Sequence, residues 1–143
     1  MKPSFKSAMS ALKLGERAIQ QTYADLVEQS LNQHGKLNLI QADTGVGKSL
    51  GYAVTAALKI AASKNARVII CSHTIALLNQ LNGKDIPLAV EAVHALTGRS
   101  LKHAMFIGRN NYVSKDRLDI VVNKMGTLSN SDLKAIDLLR NWT

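Results

Sequence analysis

Eight consecutive residues, 42–49, have the types and spacing of a phosphate-binding loop. They read Ala-Asp-Thr-Gly-Val-Gly-Lys-Ser, which is the Walker A pattern in its Ala-first form. Gly45 and Gly47 permit backbone conformations and close approaches that a Cβ atom would block, so successive amides can face phosphate oxygens. Lys48 adds a positive charge for the β- and γ-phosphates, and Ser49 offers a hydroxyl to Mg²⁺. The pattern predicts a nucleoside triphosphate site; the alternative is a glycine-rich turn with a solvated lysine.

The elements on either side of this loop are expected to be a strand and a helix. Residues 37–41 form a short apolar run typical of a buried strand, and residues 48–63 have the Ala/Leu content and length of a helix. The β-branched run at residues 67–72 predicts a second buried strand, in which Cys71 would lie. Strand, helix and strand predict a βαβ unit, and therefore an α/β fold with a parallel sheet flanked by helices.

Several other segments have helical patterns. Upstream of the loop, five apolar residues follow helical spacing, and Gly35 would end the helix after them. They are Ile19, Tyr23, Leu26, Val27 and Leu31. The helix is expected over residues 16–33. Downstream, we predict an apolar piece at residues 104–107 and helices over residues 74–81, 85–96, 115–124 and 132–141. Ser131 is the expected N-cap of the last helix, and Asp132 would favour its positive end.

Composition limits the class of protein. The 143 residues are 46% hydrophobic and 20% charged, which indicates one globular domain or part of a larger one and excludes a disordered chain. No apolar stretch reaches the roughly 20 residues that a membrane span needs. A single cysteine, Cys71, cannot form an internal disulfide or a four-thiolate cluster, and it fits a reducing, cytoplasmic setting. The net charge of +8 favours a polyanionic partner.

The parts that hydrolysis needs beyond phosphate binding are not recognisable in the sequence. A P-loop enzyme also holds Mg²⁺ with a carboxylate at the end of an apolar strand. Asp119 precedes its apolar run, and Asp132 and Asp137 lie on a polar-faced helix, so we interpret all three as surface carboxylates. Three histidines, His34, His94 and His103, share no metal-ligand spacing. We therefore expect this chain alone to bind nucleotide weakly and to hydrolyse little.

Taken together, four segments resemble the first motor domain of superfamily 2 DNA helicases, in the DinG/XPD branch. Arg17-Ala-Ile-Gln20 is similar to the R-x-x-Q element, and ADTGVGKSLGYAV to motif I. Ser72-His-Thr74, with Gln80 and Leu81, is similar to motif Ia, and Gly108-Arg-Asn-Asn-Tyr-Val-Ser114 to G-R-x-N-Y-x-C. The resemblance covers residues 15–118 and implies a RecA-like P-loop fold. Residues 1–14 would be an N-terminal extension, and residues 119–143 the start of an inserted or accessory helical subdomain.

The resemblance also implies roles for individual residues. Arg17 and Gln20 would bind nucleotide together with the loop residues Ala42, Asp43, Thr44, Gly45, Val46, Gly47, Lys48 and Ser49. Gln20 could read the adenine edge; the alternative is a surface glutamine on a polar helix face. Five residues would contact single-stranded DNA: Ser72, His73, Thr74, Arg109 and Tyr112. Thr74, with a free N–H at a predicted helix start, suits a phosphate. Alternatively, Tyr112 packs in the core and Arg109 lays its aliphatic stem along apolar surface with its charged end in water.

One departure from the pattern concerns the cofactor. In iron–sulfur members the cysteine of G-R-x-N-Y-x-C is the first cluster ligand, but here that position is Ser114 and no cysteine follows. A hydroxyl is a poor substitute for a thiolate on iron, so we expect no iron–sulfur cluster. The branch that fits is clusterless, such as the DinG-like helicase of type IV CRISPR systems.

The activity implied is that of an ATP-dependent helicase, using ATP and Mg²⁺ and moving 5′ to 3′ on single-stranded DNA, with a CRISPR ribonucleoprotein as a further partner. The motifs after residue 118 are not recognisable, so we expect a fragment of a longer protein. Two alternatives stay open: a P-loop kinase or other NTPase, and a truncated non-catalytic module that binds nucleotide or DNA.

Overall fold

The structure, a computed structural model, describes residues 3–123 and 129–140. They separate into two compact units, the first ending at Met105 and the second starting at Phe106. In the first unit the elements are α1 (Phe5–Ala11), α2 (Ala18–Leu31), α3 (Lys48–Ala61), α4 (Ile75–Gln80), a π-helical turn (Leu81–Asp85) and α5 (Ile86–Thr97). In the second they are a 3₁₀ turn (Arg109–Asn111), α6 (Lys115–Asn123) and α7 (Asn130–Arg140).

The core of the first unit lies between α1, α2, α3 and α5 and consists mainly of small side chains. Its alanines let the helices approach closely, and the larger members fill the space between them. Residues 1–14, expected as an extension, contribute α1, whose start is capped by reciprocal hydrogen bonds between Ser4 and Ser7. The buried core residues are Phe5, Ala8, Met9, Ala24, Ala53, Val54, Ala57, Ala89, Ala92 and Val93.

The predicted α/β fold with a parallel, RecA-like sheet is wrong for this structure: residues 3–123 and 129–140 are helical or irregular and contain no strand. Residues 37–41 and 67–72 are instead irregular segments. A strand exists only where a neighbouring strand takes up its N–H and C=O groups. Within the described residues no ladder joins the two segments. Their apolar content alone was therefore not enough to predict strands. Leu39 is 92% exposed and Ile69 86% exposed.

The helices were predicted better than the strands. Each predicted helix is present in the described residues, where its ends differ from the prediction by no more than two residues. The face of α2 differs from the prediction, because Ile19 is exposed, Leu26 is partly exposed, and Gln20 and Ala24 are buried. The apolar spacing identified the helix but not the side that packs against α3.

A π-helical turn joins α4 to α5, so these helices follow one another without a loop. It buries Leu81 and the carboxylate of Asp85, whose Oδ2 accepts a hydrogen bond from Nε2 of Gln80 at 3.1 Å. Sequence reasoning did not single out Asp85, although π-helical turns are frequent at functional sites. Nothing in the residue pattern distinguished it from a surface carboxylate.

In the second unit, the start of α7 is fixed by Ser129 rather than by the predicted Ser131. The Oγ of Ser129 accepts from the N–H of Asp132 at 3.3 Å, and Oδ2 of Asp132 accepts from the N–H of Ser129 at 3.1 Å. The Ser129 hydroxyl also donates to Oδ2 of Asp132 at 2.6 Å. This hydrogen bond, together with the one from the Ser129 N–H, holds the pKa of Asp132 below its ordinary value. Asp119, Asp132 and Asp137 are exposed, as predicted. The predicted end of α7 at residue 141, and Trp142, lie outside the described residues.

Within the part of the chain that the structure describes, no helix is long and apolar enough to span a membrane.

Candidate functional site

The loop at residues 42–49 leads directly into α3, which begins at Lys48. Gly45 has φ +81° and Gly47 has φ +84°, both in the left-handed region that disfavours residues with a Cβ. Gly47 is also the N-cap of α3, and its carbonyl accepts from the N–H of Gly51 at 3.0 Å. The two glycines therefore stand where the backbone needs them.

Backbone donors are available in this loop. Among the described residues, no acceptor takes up the N–H groups of Gly45, Gly47, Lys48 or Ser49. The last two open α3, whose N-terminal end carries partial positive charge. Together they form a donor set suited to an anion such as a phosphate.

The Lys48 side chain crosses its own loop. Its Nζ donates to the carbonyl oxygen of Ala42 at 2.9 Å and to that of Asp43 at 2.6 Å. The ammonium is therefore held next to the first residues of the loop by hydrogen bonds to two neutral acceptors. A phosphate anion is a stronger partner for an ammonium than a carbonyl, so it can compete for this group.

Next to the loop, Ser49 interacts with the phenol of Tyr52. Burial raises the pKa of Tyr52, a hydrogen bond from Ser49 opposes that rise, and the charge of Asp85 adds to it. Burial also raises the pKa of Tyr23, with a further contribution from Tyr52. The side chain of Ser49, predicted to serve Mg²⁺, thus stands beside a neutral phenol.

The structure brings one of the two upstream candidates to the loop. Gln20 is buried, and its Nε2 donates to the carbonyl oxygen of Gly47 at 3.0 Å. The alternative of a surface glutamine is therefore wrong. Arg17 is the N-cap of α2 and is exposed, without a side-chain cap hydrogen bond.

The motif Ia candidates lie at the start of α4. Oγ1 of Thr74 accepts from the N–H of Leu77 at 3.3 Å and caps the helix. Its own N–H, predicted to be free, instead donates to Oγ of Ser72 at 3.3 Å. The prediction overlooked this local turn, which serine side chains commonly form. His73 and Thr74 are exposed, and Ser72 is half-buried.

In the second unit, residues 106–112 form a small loop with two exposed aromatic side chains. The Tyr112 hydroxyl accepts from the N–H of Ile107 at 3.1 Å, and its side chain is 53% exposed, so packing of Tyr112 in the core is excluded. Arg109 is exposed and starts the 3₁₀ turn. Phe106 is 83% exposed. Sequence reasoning missed Phe106 because it lay in a segment interpreted only as apolar.

The remaining candidates do not add to the site. Cys71, predicted to be a buried strand residue, is exposed. The described residues contain no group of three or more His, Cys, Asp or Glu side chains that could hold a metal ion. His34, His94 and His103 are exposed.

Comparison with known proteins gives consistent matches. The chain is 35% identical to the ATP-dependent helicase DinG of Mycobacterium tuberculosis over 78% of its length, and 32% identical to the ATP-dependent DNA helicase YoaA of Escherichia coli over 89%. It is 30% identical to the Escherichia coli ATP-dependent DNA helicase DinG over 66% of its length. These matches cover 16%, 18% and 12% of the relatives, so the chain spans less than a fifth of their length.

These relatives confirm the DinG resemblance predicted from the four motifs. No solved structure matches the chain significantly. The family model described as "Type III restriction enzyme, res subunit" matches residues 13–141. That match takes in the loop, the motif Ia segment and most of the second unit, and the chain therefore belongs to this family.

Proposed function

We propose that this chain is the ATP-binding portion of an ATP-dependent DNA helicase. The observation that carries the proposal is the loop at residues 42–49, with two left-handed glycines and unengaged amides at the start of α3. The proteins named DinG and YoaA are described as ATP-dependent helicases, and both are similar to this chain over most of its length. The alternatives, a kinase or a non-catalytic module, gain no support from these matches.

In this proposal each loop residue has one task. The amides of Gly45, Gly47, Lys48 and Ser49 hold phosphate oxygens, and Lys48 exchanges its two carbonyl partners for the β- and γ-phosphates. Ser49 offers its hydroxyl to Mg²⁺, which would neutralise phosphate charge when bound. Ala42, Asp43, Thr44 and Val46 shape the loop, and Arg17 and Gln20 are proposed to contribute to nucleotide binding from the start of α2. Hydrolysis needs a further carboxylate, so the 143-residue chain should bind ATP and turn it over little.

The DNA partner is proposed to be single-stranded. In the first unit, Thr74 and His73 are exposed at the start of α4 and Ser72 supports the turn. In the second unit, Arg109 offers charge and Tyr112 an exposed ring, a combination that suits an unpaired base. Phe106 adds a second exposed ring. It is the neighbour of Ile107, whose N–H donates a hydrogen bond to the Tyr112 hydroxyl. The net charge of +8 is of the sign that a nucleic acid attracts.

Nucleotide binding tests the proposal directly. A fluorescent ATP analogue is titrated into the chain with Mg²⁺, for the wild type, Lys48→Ala and Lys64→Ala. We expect Lys48→Ala to weaken binding at least about ten-fold, the size of losing a charge-assisted hydrogen bond. Lys64, an exposed lysine just after α3, is the matched control and should leave affinity unchanged. Equal affinities in all three proteins, or no binding by the wild type, would contradict the proposed function.

Measurements of DNA binding test the proposal that the partner is single-stranded DNA. Affinity for a single-stranded oligonucleotide should fall about 5- to 100-fold in Phe106→Ala, the range for loss of one stacked base. Leu138→Ala, which removes another exposed apolar side chain of the second unit, from α7, should not change it. Affinity should also weaken steeply with added salt. A chain indifferent to DNA would count against the helicase proposal.

Three finer points stay predictions of the resemblance. They are movement 5′ to 3′, association with a CRISPR ribonucleoprotein, and the absence of an iron–sulfur cluster. The last follows from Ser114 in the cysteine position of G-R-x-N-Y-x-C. Iron in stoichiometric amount in the purified protein would contradict it.

A further inference from the structure

Gln20 makes a contact with the phosphate loop that nucleotide recognition alone does not require. Only 7% of its surface is exposed, and its Nε2 lies 3.0 Å from the carbonyl oxygen of Gly47. That oxygen also accepts the first hydrogen bond of α3, from the N–H of Gly51. One carbonyl therefore joins the end of the loop, the start of α3 and the side chain of a residue on α2.

The approach of Gln20 to Gly47 leaves no room for a side chain at position 47. A Cβ atom built on Gly47 would lie 2.4 Å from Nε2 of Gln20, well inside contact distance. Gly45 has nearly the same φ but no atom within 4 Å of its would-be Cβ. Backbone conformation requires glycine at both positions, whereas Gln20 adds a second requirement at Gly47 only.

The helix that carries Gln20 is itself firmly held. Tyr23, one turn further along α2, contacts Gly51, where a Cβ would lie 2.9 Å from Cδ1 of the ring. Ala24 is 1% exposed in the same interface. Residues three and four apart share one face of a helix, so Gln20, Tyr23 and Ala24 face α3 together. Packing against α3 thus holds the helix turn that carries the amide of Gln20.

We propose that Gln20 is a positioning residue that holds the Gly47 carbonyl and so orients the phosphate loop, acting on the triphosphate whatever base it carries. This inference rests on the proposed nucleotide-binding function. It differs from reading of the adenine edge, because a residue that sets the loop affects every triphosphate equally. A residue that reads the base affects only the matching one.

The experiment compares three probes: ATP, GTP and inorganic tripolyphosphate, each competing with a fluorescent ATP analogue. The variants are Gln20→Met, which keeps a side chain of similar length without charge and cannot donate to a carbonyl, and Gln20→Ala. We expect each variant to weaken all three probes by the same factor of about five or more, the size of one hydrogen bond. The ratio of ATP to GTP affinity should stay at its wild-type value.

The matched control is Gln21→Ala. Gln21 is the next residue of α2, and its Nε2 binds Asp25 at 2.7 Å, away from the loop. It should leave all three affinities unchanged. A loss confined to ATP, or no loss in Gln20→Met, would overturn the positioning role. Failure of the wild type to bind any probe would instead refute the proposed function, so the two failures are distinguishable.

A double-mutant cycle tests the contact without any ligand. Gly47→Ala and Gly45→Ala both place a Cβ at a left-handed position, but only the first meets Gln20. In thermal unfolding we expect Gly47→Ala to lower Tm more than Gly45→Ala does. In a Gln20→Ala background, that difference should disappear. A difference that persists in this background would contradict direct contact.

Discussion

The phosphate loop and the segment at residues 66–72 lie in the same unit, yet they are held in different ways. The loop is supported from one side by Gln20 and closed by the Lys48 side chain. Along residues 66–72, half-buried and exposed residues alternate, which is the pattern of a strand. Val68 and Ile70 are half-buried and line a groove together with Val27 and Tyr52, whereas Ile69 is 86% exposed. Hydrogen bonds from Gln20 and from the loop's own Lys48 therefore hold the first segment, whereas only the partial burial of alternate side chains holds the second.

The difference shows what determines each conformation. In the loop, left-handed glycines, a helix start and a buried amide act over short distances. Residues 66–72 have a strand-like burial pattern but no backbone partner within the described residues. The contacts that shape the loop come from nearby residues and from one neighbouring helix, all of which this unit contains. A β-ladder requires a second strand next to the first.

The largest effect on the free energy of unfolding is expected when a leucine is replaced by alanine at a packed position rather than at an exposed one. Leu81, in the π-helical turn, is 2% exposed, and Leu39, just before the loop, is 92% exposed. Leu81→Ala should lower the free energy of unfolding by about 2–5 kcal/mol, since it leaves a cavity. Leu39→Ala should change it by less than about 0.5 kcal/mol. Urea denaturation measures both; equal losses would mean that Leu39 is packed and that the comparison fails.

A smaller effect is expected where α2 supports α3. Gly51→Ala places a methyl group 2.9 Å from the Tyr23 ring, so it should destabilise the fold by about 1–3 kcal/mol despite the better helix propensity of alanine. Gly83→Ala, with nothing within 4 Å, is the control and should be neutral or stabilising. Thermal unfolding compares the two variants. Stabilisation by both would show that α2 is not firmly packed at the loop.

The smallest expected effect is a pH dependence beside the loop. Because burial raises the pKa of Tyr52, the folded state binds the phenolic proton more tightly than the unfolded state does. This contribution is complete below the unfolded value of about 10 and is lost as pH rises through the folded value. Stability measured from pH 8 to 11 should therefore fall less in Tyr52→Phe than in the wild type. An identical slope would contradict the burial of Tyr52.

Much of the site could be predicted from the sequence, since its determinants are local. The glycine positions, the start of α3 at Lys48 and the cap at Thr74 follow from residue types a few positions apart. The sheet could not be predicted correctly, because apolar runs do not reveal whether a neighbouring strand is present. The burial of Gln20 and Asp85 and the exposure of Phe106 depend on tertiary packing. A polar residue on the buried side of a helix leaves no signal in apolar spacing.

The central claim is that residues 42–49 bind the phosphates of a nucleotide. Amide chemical shifts of the chain, recorded by NMR during titration with ATP and Mg²⁺, test it at the atoms concerned. The account predicts saturable shifts of the Gly45, Gly47 and Lys48 amides with ATP and with tripolyphosphate, and none with adenosine. Shifts that leave these three amides unmoved, or that adenosine reproduces, would contradict it.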